Sequence, residues 1–101
     1  MKIKIEKRPG VTEICLFGEL GHHEAIDGMA EIRDEIEREF QKEIVLDMKG
    51  LTFMDSSGIA VVMKAYKCVQ QLGGKMSVRV EQGHKRRILS AAGLEKIMEF
   101  I

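Results

Sequence analysis

Two serines set behind an acid and ahead of a glycine, Asp55-Ser56-Ser57-Gly58, are the residues best placed in this chain to do chemistry. Upstream, Ile44, Val45 and Leu46 form a short apolar run bounded by charge, the pattern of a central strand covered on both faces. Downstream, Ile59, Val62, Met63, Tyr66 and Val69 recur at helical spacing until Gly73-Gly74 closes the segment. The serines therefore stand at the N-terminus of a helix over 58–72, where free N–H groups and the positive end of the helix dipole gather. A serine there can cap the helix, and a phosphate added to it is tolerated electrostatically. Residue type and position alone favour the cap. Catalysis by a nucleophilic Ser56 lacks support, since the chain has no Gly-x-Ser-x-Gly elbow, no nucleotide-binding glycine loop and no Ser/His/Asp order.

Other reactive residues carry weaker signals. His22-His23-Glu24 invites a metal, but adjacent histidines diverge from a strand end or helix start and no third ligand follows at standard spacing, so neither metal nor cofactor is expected. Cys15 lies in an apolar strand pattern and Cys68 on the helix after the serines, which suggests buried, reduced thiols. His84-Lys85-Arg86-Arg87 opens a helix with charge unfavourable to its dipole and reads as a solvated face. The rest of the chain supplies neither aromatic platforms nor a basic stripe for nucleic acid.

The elements that must position these residues follow from periodicity. Residues 2–7 alternate as an edge strand, Arg8-Pro9-Gly10 turns, and Val11 to Phe17 returns to complete a hairpin. A helix follows with the apolar stripe Ala25, Met29, Ile32, Ile36 and Phe40. After the strand at 44–48 and the helix at 58–72 come a strand at Met76 to Val80 and a helix from His84 to Ala92, and Lys96 to Ile101 can add a short last strand. The expected fold is α/β in β-β-α-β-α-β-α order, one domain spanning 1–101. Right-handed crossovers give a mixed, mostly parallel sheet with an N-terminal antiparallel edge strand. The loop at His22 is expected beside the serine loop, at the C-terminal edge of the sheet where open α/β folds bind ligands.

Composition narrows the partners. The 101 residues are 45% apolar, and sixteen basic residues balance sixteen acidic ones. No overall field draws the chain to nucleic acid or to an anionic membrane, so a specific protein partner fits better. No apolar run approaches the roughly 20 residues of a membrane span. Met1 to Lys7 alternates instead of forming a signal-peptide core, and a cytoplasmic location is expected.

Phe53-Met54-Asp55-Ser56-Ser57-Gly58 with its apolar helix resembles the phosphorylation loop of bacterial anti-sigma factor antagonists, which are STAS domains. Gly18-Glu19-Leu20-Gly21-His22-His23, Val45-Leu46-Asp47-Met48, Gly73-Gly74-Lys75-Met76 and Ala92-Gly93-Leu94-Glu95-Lys96-Ile97 extend the resemblance, collinear over nearly the whole chain. It implies that Ser56 takes the phosphate, while Ser57 supports the turn. It also implies a partner surface of Gly21, His22, Met54, Asp55, Ser56, Ser57, Gly58 and Ile59. Met54, Ile59 and Met63 also suit the core or its margin, and Gly58 suits close backbone approach by a partner. The chain departs from the family at Gly21, where relatives usually carry an aspartate linked to partner recognition, and at Glu24, where they carry threonine. It also ends at Ile101, before a last helix that many relatives have.

The implied role is a switch in transcription regulation of the sporulation type. The unphosphorylated protein, a monomer when free, binds an anti-sigma factor and frees its sigma factor. That partner, a serine kinase using ATP and Mg²⁺, phosphorylates Ser56 and breaks the association, and a metal-dependent serine phosphatase resets it. The alternative is a STAS module of another signalling or transport assembly with a silent or differently used serine.

Overall fold

The computed structural model describes residues 1–38 and 41–101. A hairpin of β1 (Lys2–Arg8) and β2 (Val11–Leu20) is followed by α1 (His22–Arg38), β3 (Glu43–Met54), α2 (Ser57–Gln71), β4 (Lys75–Arg79), α3 (His84–Ala91), a 3-10 turn at Leu94–Lys96 and β5 (Glu99–Phe100). The five strands lie side by side in chain order, with β1 antiparallel to β2 and the later pairs parallel. This is the mixed, mostly parallel sheet predicted from the sequence, with the closing segment supplying the fifth strand. Gly10 adopts φ 80° after Pro9, the left-handed conformation that a type II turn requires of its third residue. Phe40, expected at the end of the α1 stripe, lies outside the described residues.

One apolar core joins the helices to the sheet. Ile14, Leu16, Ile44, Leu46, Met48 and Val78 meet Met29, Ile32 and Ile36 of α1 and Val61, Val62 and Val69 of α2. Burying side chains of this size contributes about 1.5–3 kcal/mol each, offset by the cost of ordering the chain. Among the described residues no helix is long and apolar enough to cross a membrane.

Two expectations about β3 need correction. Among the described residues no other layer covers its second face. Cys15 and Val45 are buried there outside the main core, beside a lattice of charged side chains from the sheet itself. Arg79 Nη1 reaches Glu13 Oε1 and, at 3.1 Å, Asp47 Oδ2, while Arg8 Nη2 lies 2.6 Å from Glu13 Oε2. The long stems of these residues cover apolar surface that a helix would otherwise have to cover.

The strand is also far longer than 44–48 and carries Phe53 and Met54 within it. Against β2 it holds one extra residue between Asp47 and Gly50 and a second between Leu51 and Phe53. These two bulges interrupt the two-residue alternation, which is why periodicity missed the extension. Asp47 Oδ1 accepts the Lys49 N–H at 2.9 Å and fixes the first bulge. Pairing with β4 stops at Asp47, whereas pairing with β2 continues to Met54, so the last stretch of β3 overhangs one neighbour and delivers the serine loop at its tip.

Candidate functional site

The loop between β3 and α2 is organised by Asp55. Its N–H donates to Leu20 O at 3.3 Å, tying the loop to the end of β2. Its Oδ1 accepts the Ser57 N–H at 2.8 Å and its carbonyl accepts the Gly58 N–H at 3.1 Å. An aspartate bonded to the N–H two residues on is an Asx-turn, and here it satisfies a free donor of the first helical turn. The expected serine cap is thereby corrected. Ser56 has helical backbone angles (φ −64°, ψ −13°), makes no side-chain cap bond, and is exposed. Ser57 is half-buried and enters the turn through its N–H.

Met54 and Gly58, expected among the partner contacts, are interior, with Met54 only 1% exposed. A Cβ on Gly58 would overlap Met54 Sδ and Cγ, so the close approach expected of a partner is made by the chain's own methionine. Ile59 and Met63 pack half-buried on the core margin.

The start of α1 lies against this loop. Gly21 is buried, its N–H donates to Glu24 Oε1 at 2.8 Å, and its carbonyl accepts the Ala25 N–H at 2.9 Å. Glu24 thus supplies the returning half of a capping box and places negative charge at the positive end of α1. A Cβ at Gly21 would stand 3.0 Å from Glu24 Oε1 and 3.6 Å from Asp55 Oδ2. The Glu24 carboxylate therefore occupies the space that a side chain at residue 21 would enter, beside the acid that precedes Ser56. His22 and His23 are exposed and meet edge-on, with ring centroids 5.8 Å apart.

Two apolar side chains near the serines escaped the sequence reading. Ile26 is 62% exposed and lines a groove of about 230 Å³ between α1 and α2, together with His22, Met29, Ser57, Val61 and Lys64. Phe53 is 49% exposed, and its ring edge would lie 3.9 Å from a Cβ at Gly21. Ile26 was detectable as an apolar residue beside the stripe that begins at Ala25. Phe53 was hidden by the bulge before it.

In the basic cluster of α3, His84 and Arg87 are exposed as expected, but Lys85 and Arg86 are not part of a solvated face. Lys85 Nζ donates to Leu51 O at 2.7 Å and Met48 O at 2.9 Å, lies 3.4 Å from Lys49 O, and pairs with Glu81 at 3.1 Å. Arg86 donates to Val80 O at 3.3 Å and lies over the Phe100 ring at 5.3 Å. Carbonyl and carboxylate acceptors thus hold Lys85 and Arg86, which offsets the unfavourable dipole for these two cations.

Cys15 and Cys68 are free and buried, and burial pushes both thiols upward, with nearby carboxylates adding to the effect. Glu6, Glu13 and Cys15 come close enough to surround a cation, but both oxygens of Glu13 are already held by Arg8 and Arg79.

A family model described as the STAS domain matches residues 2–101. An anti-sigma F factor antagonist of Paenibacillus polymyxa is 39% identical over 98 residues, covering 97% of this chain and 84% of the relative. The Bacillus cell fate determinant SpoIIAA in its phosphorylated form is 26% identical with a TM-score of 0.73, covering 99% of this chain and 91% of that one. An anti-sigma factor antagonist from Mycobacterium paratuberculosis superposes with a TM-score of 0.87 at 20% identity, over 98% of this chain and 83% of the other, a likeness of fold alone. With an ordered sheet, a serine loop on α2 and a family match over almost every residue, the chain belongs to the STAS domain family.

Proposed function

We propose that this chain is an anti-sigma factor antagonist, a single-domain regulatory binding protein of the cytoplasm whose hold on an anti-sigma factor is governed by phosphorylation of Ser56. The unphosphorylated form binds the anti-sigma factor and frees a sigma factor. The anti-sigma factor acts as the kinase, and a metal-dependent phosphatase restores the starting state. The observation that carries this reading is the division of labour at the start of α2. Asp55 caps the helix, which leaves the Ser56 hydroxyl exposed and uncommitted in a chain 39% identical to an anti-sigma F factor antagonist.

The surroundings favour a change of surface charge over a change of fold. A phosphate on Ser56 adds about −1.5 to −2 charge at the N-terminus of α2, where the dipole accommodates it. It also joins the Asp55 and Glu24 carboxylates, so a partner packed on Phe53, Ile26 and the serines meets a concentrated negative patch. Glu24 supplies in this chain an acid beside residue 21, where relatives usually carry aspartate. Among the described residues no imidazole bonds to the Ser56 hydroxyl, which suits a passive phosphate acceptor better than an activated nucleophile.

Intact mass after incubation with ATP, Mg²⁺ and the anti-sigma kinase of the same genome is expected to show one added phosphate in wild type and none in Ser56→Ala. Calorimetry is expected to show Ser56→Ala binding that kinase as tightly as wild type, and Ser56→Asp binding at least about 30-fold more weakly. Tight binding by Ser56→Asp would overturn the charge mechanism, and phosphate remaining on Ser56→Ala would move the site.

A further inference from the structure

We propose that Lys85 is a positioning residue for the serine loop, gathering carbonyl oxygens of the overhanging end of β3 so that Asp55 and Ser56 are presented in one fixed geometry. The inference rests on the reading of Ser56 as phosphate acceptor only for its effect on phosphorylation. Its structural part stands on the hydrogen bonds alone.

β4 pairs with β3 only as far as the Asp47–Arg79 register, yet β3 runs on to Met54. On the β4 side no strand among the described residues accepts from this overhang's donors or donates to its carbonyls, and its bulges interrupt the regular ladder. Lys85 Nζ meets the oxygens of Met48, Lys49 and Leu51 at 2.9, 3.4 and 2.7 Å. An ammonium has three donors and no acceptor, so it matches a set of three carbonyls without leaving a group of its own unsatisfied. The side chain is only 13% exposed, and Glu81 at 3.1 Å balances its charge.

The clamp is anchored at its other end. Arg86, the next residue, bonds to Val80 O and lies 3.7 Å from Glu95, which fixes the first turn of α3 against the end of β4 and the turn that follows α3. Leu51, the last residue that Lys85 holds, is four positions before Asp55. Between them the chain is restrained from the β2 side, by the strand pairing, the Thr52 Oγ1 bond to Gly18 O at 3.2 Å and the Leu20–Asp55 bond, and by the buried Met54 side chain. A phosphoryl acceptor must be held close to its attack geometry, so a small loss of order at this tip reaches the reaction directly.

The test is amide hydrogen exchange by NMR on wild type, Lys85→Met and Glu81→Gln, with the rate of Ser56 phosphorylation measured on the same proteins. Lys85→Met keeps the aliphatic stem but removes the donors, whereas Glu81→Gln keeps the carbonyl bonds and removes the ion pair. The Asp55 and Ser57 amides are expected to exchange about tenfold faster in Lys85→Met while the Ile14 and Leu46 amides keep wild-type rates, and Glu81→Gln should match wild type throughout. Phosphorylation of Lys85→Met is expected to lose about tenfold in kcat with KM within about twofold, and Lys85→Arg should recover part of it. Wild-type exchange at Asp55 and Ser57 in Lys85→Met would overturn the clamp, as would a uniform acceleration across the sheet. Should Lys85→Met fail to fold, the wild-type protein decides, because Lys85 ammonium protons exchanging as fast as those of exposed Lys64 would equally overturn it. If wild-type Ser56 takes no phosphate, the proposed function fails, while the exchange rates still judge the clamp.

Discussion

At the scale of single residues, the site depends on small groups whose neighbours leave them no room. Gly58→Ala brings a methyl group against Met54, which is held in the core and cannot swing into solvent. Overpacking outweighs the helix-propensity gain of alanine, and urea denaturation should show a loss of about 1–2 kcal/mol. A variant as stable as wild type would mean that Met54 repacks freely. The sequence located this loop, because an apolar strand run and a helical stripe bracket it on both sides. It did not reveal which residue caps the helix, since aspartate and serine are nearly equal as caps and the choice depends on where the backbone turns. Nor did it reveal that Glu24 fills the space beside Gly21, a contact that depends on how the first turn of α1 lies against Asp55.

At the scale of elements, β3 shows where periodicity stops being informative. Ile44 to Leu46 gave the strand its signal, but the bulges at Met48 to Thr52 break the alternation, so the delivery of the serine loop by a strand overhang was invisible. The lattice on the open sheet face was hidden for another reason. Glu13, Asp47 and Arg79 are far apart in the chain and meet only through strand register. Hydrogen bonds to Glu13 and then Asp47 hold the Arg79 guanidinium even more firmly protonated than usual. Arg79→Met removes the cation shared by two carboxylates and leaves Glu13 with Arg8 alone. Thermal unfolding followed by circular dichroism should show a loss of about 1–3 kcal/mol, discounted from a fully buried pair because the lattice is partly exposed. An unchanged midpoint would mean that solvent replaces Arg79 without cost.

At the scale of the whole molecule, the balance of charge and the single core were legible from composition and pattern, and the antiparallel edge and parallel pairing followed from hairpin and crossover rules. The buried thiols belong to this scale because both report on the integrity of the fold. Cys15 and Cys68 are raised above the ordinary thiol value of 9.0, chiefly by burial. Their contribution to stability is therefore intact below that value and is lost as pH rises through the higher folded values, since the unfolded chain releases these protons first. As pH rises above 9.0, wild type should lose more urea stability than a Cys15→Ala, Cys68→Ala variant, and iodoacetamide at neutral pH should label neither thiol in the folded protein. Prompt labelling would show that the fold opens around them.

Because Asp55 holds the start of α2 and Ser56 does not, the residue proposed to carry the message is excused from carrying the architecture. Under the proposed switch, a mark written there can be erased and rewritten without passing through an unfolded intermediate. The lifetime of each proposed state would then be set by the enzymes that act on it, and the domain itself would keep no memory of earlier rounds.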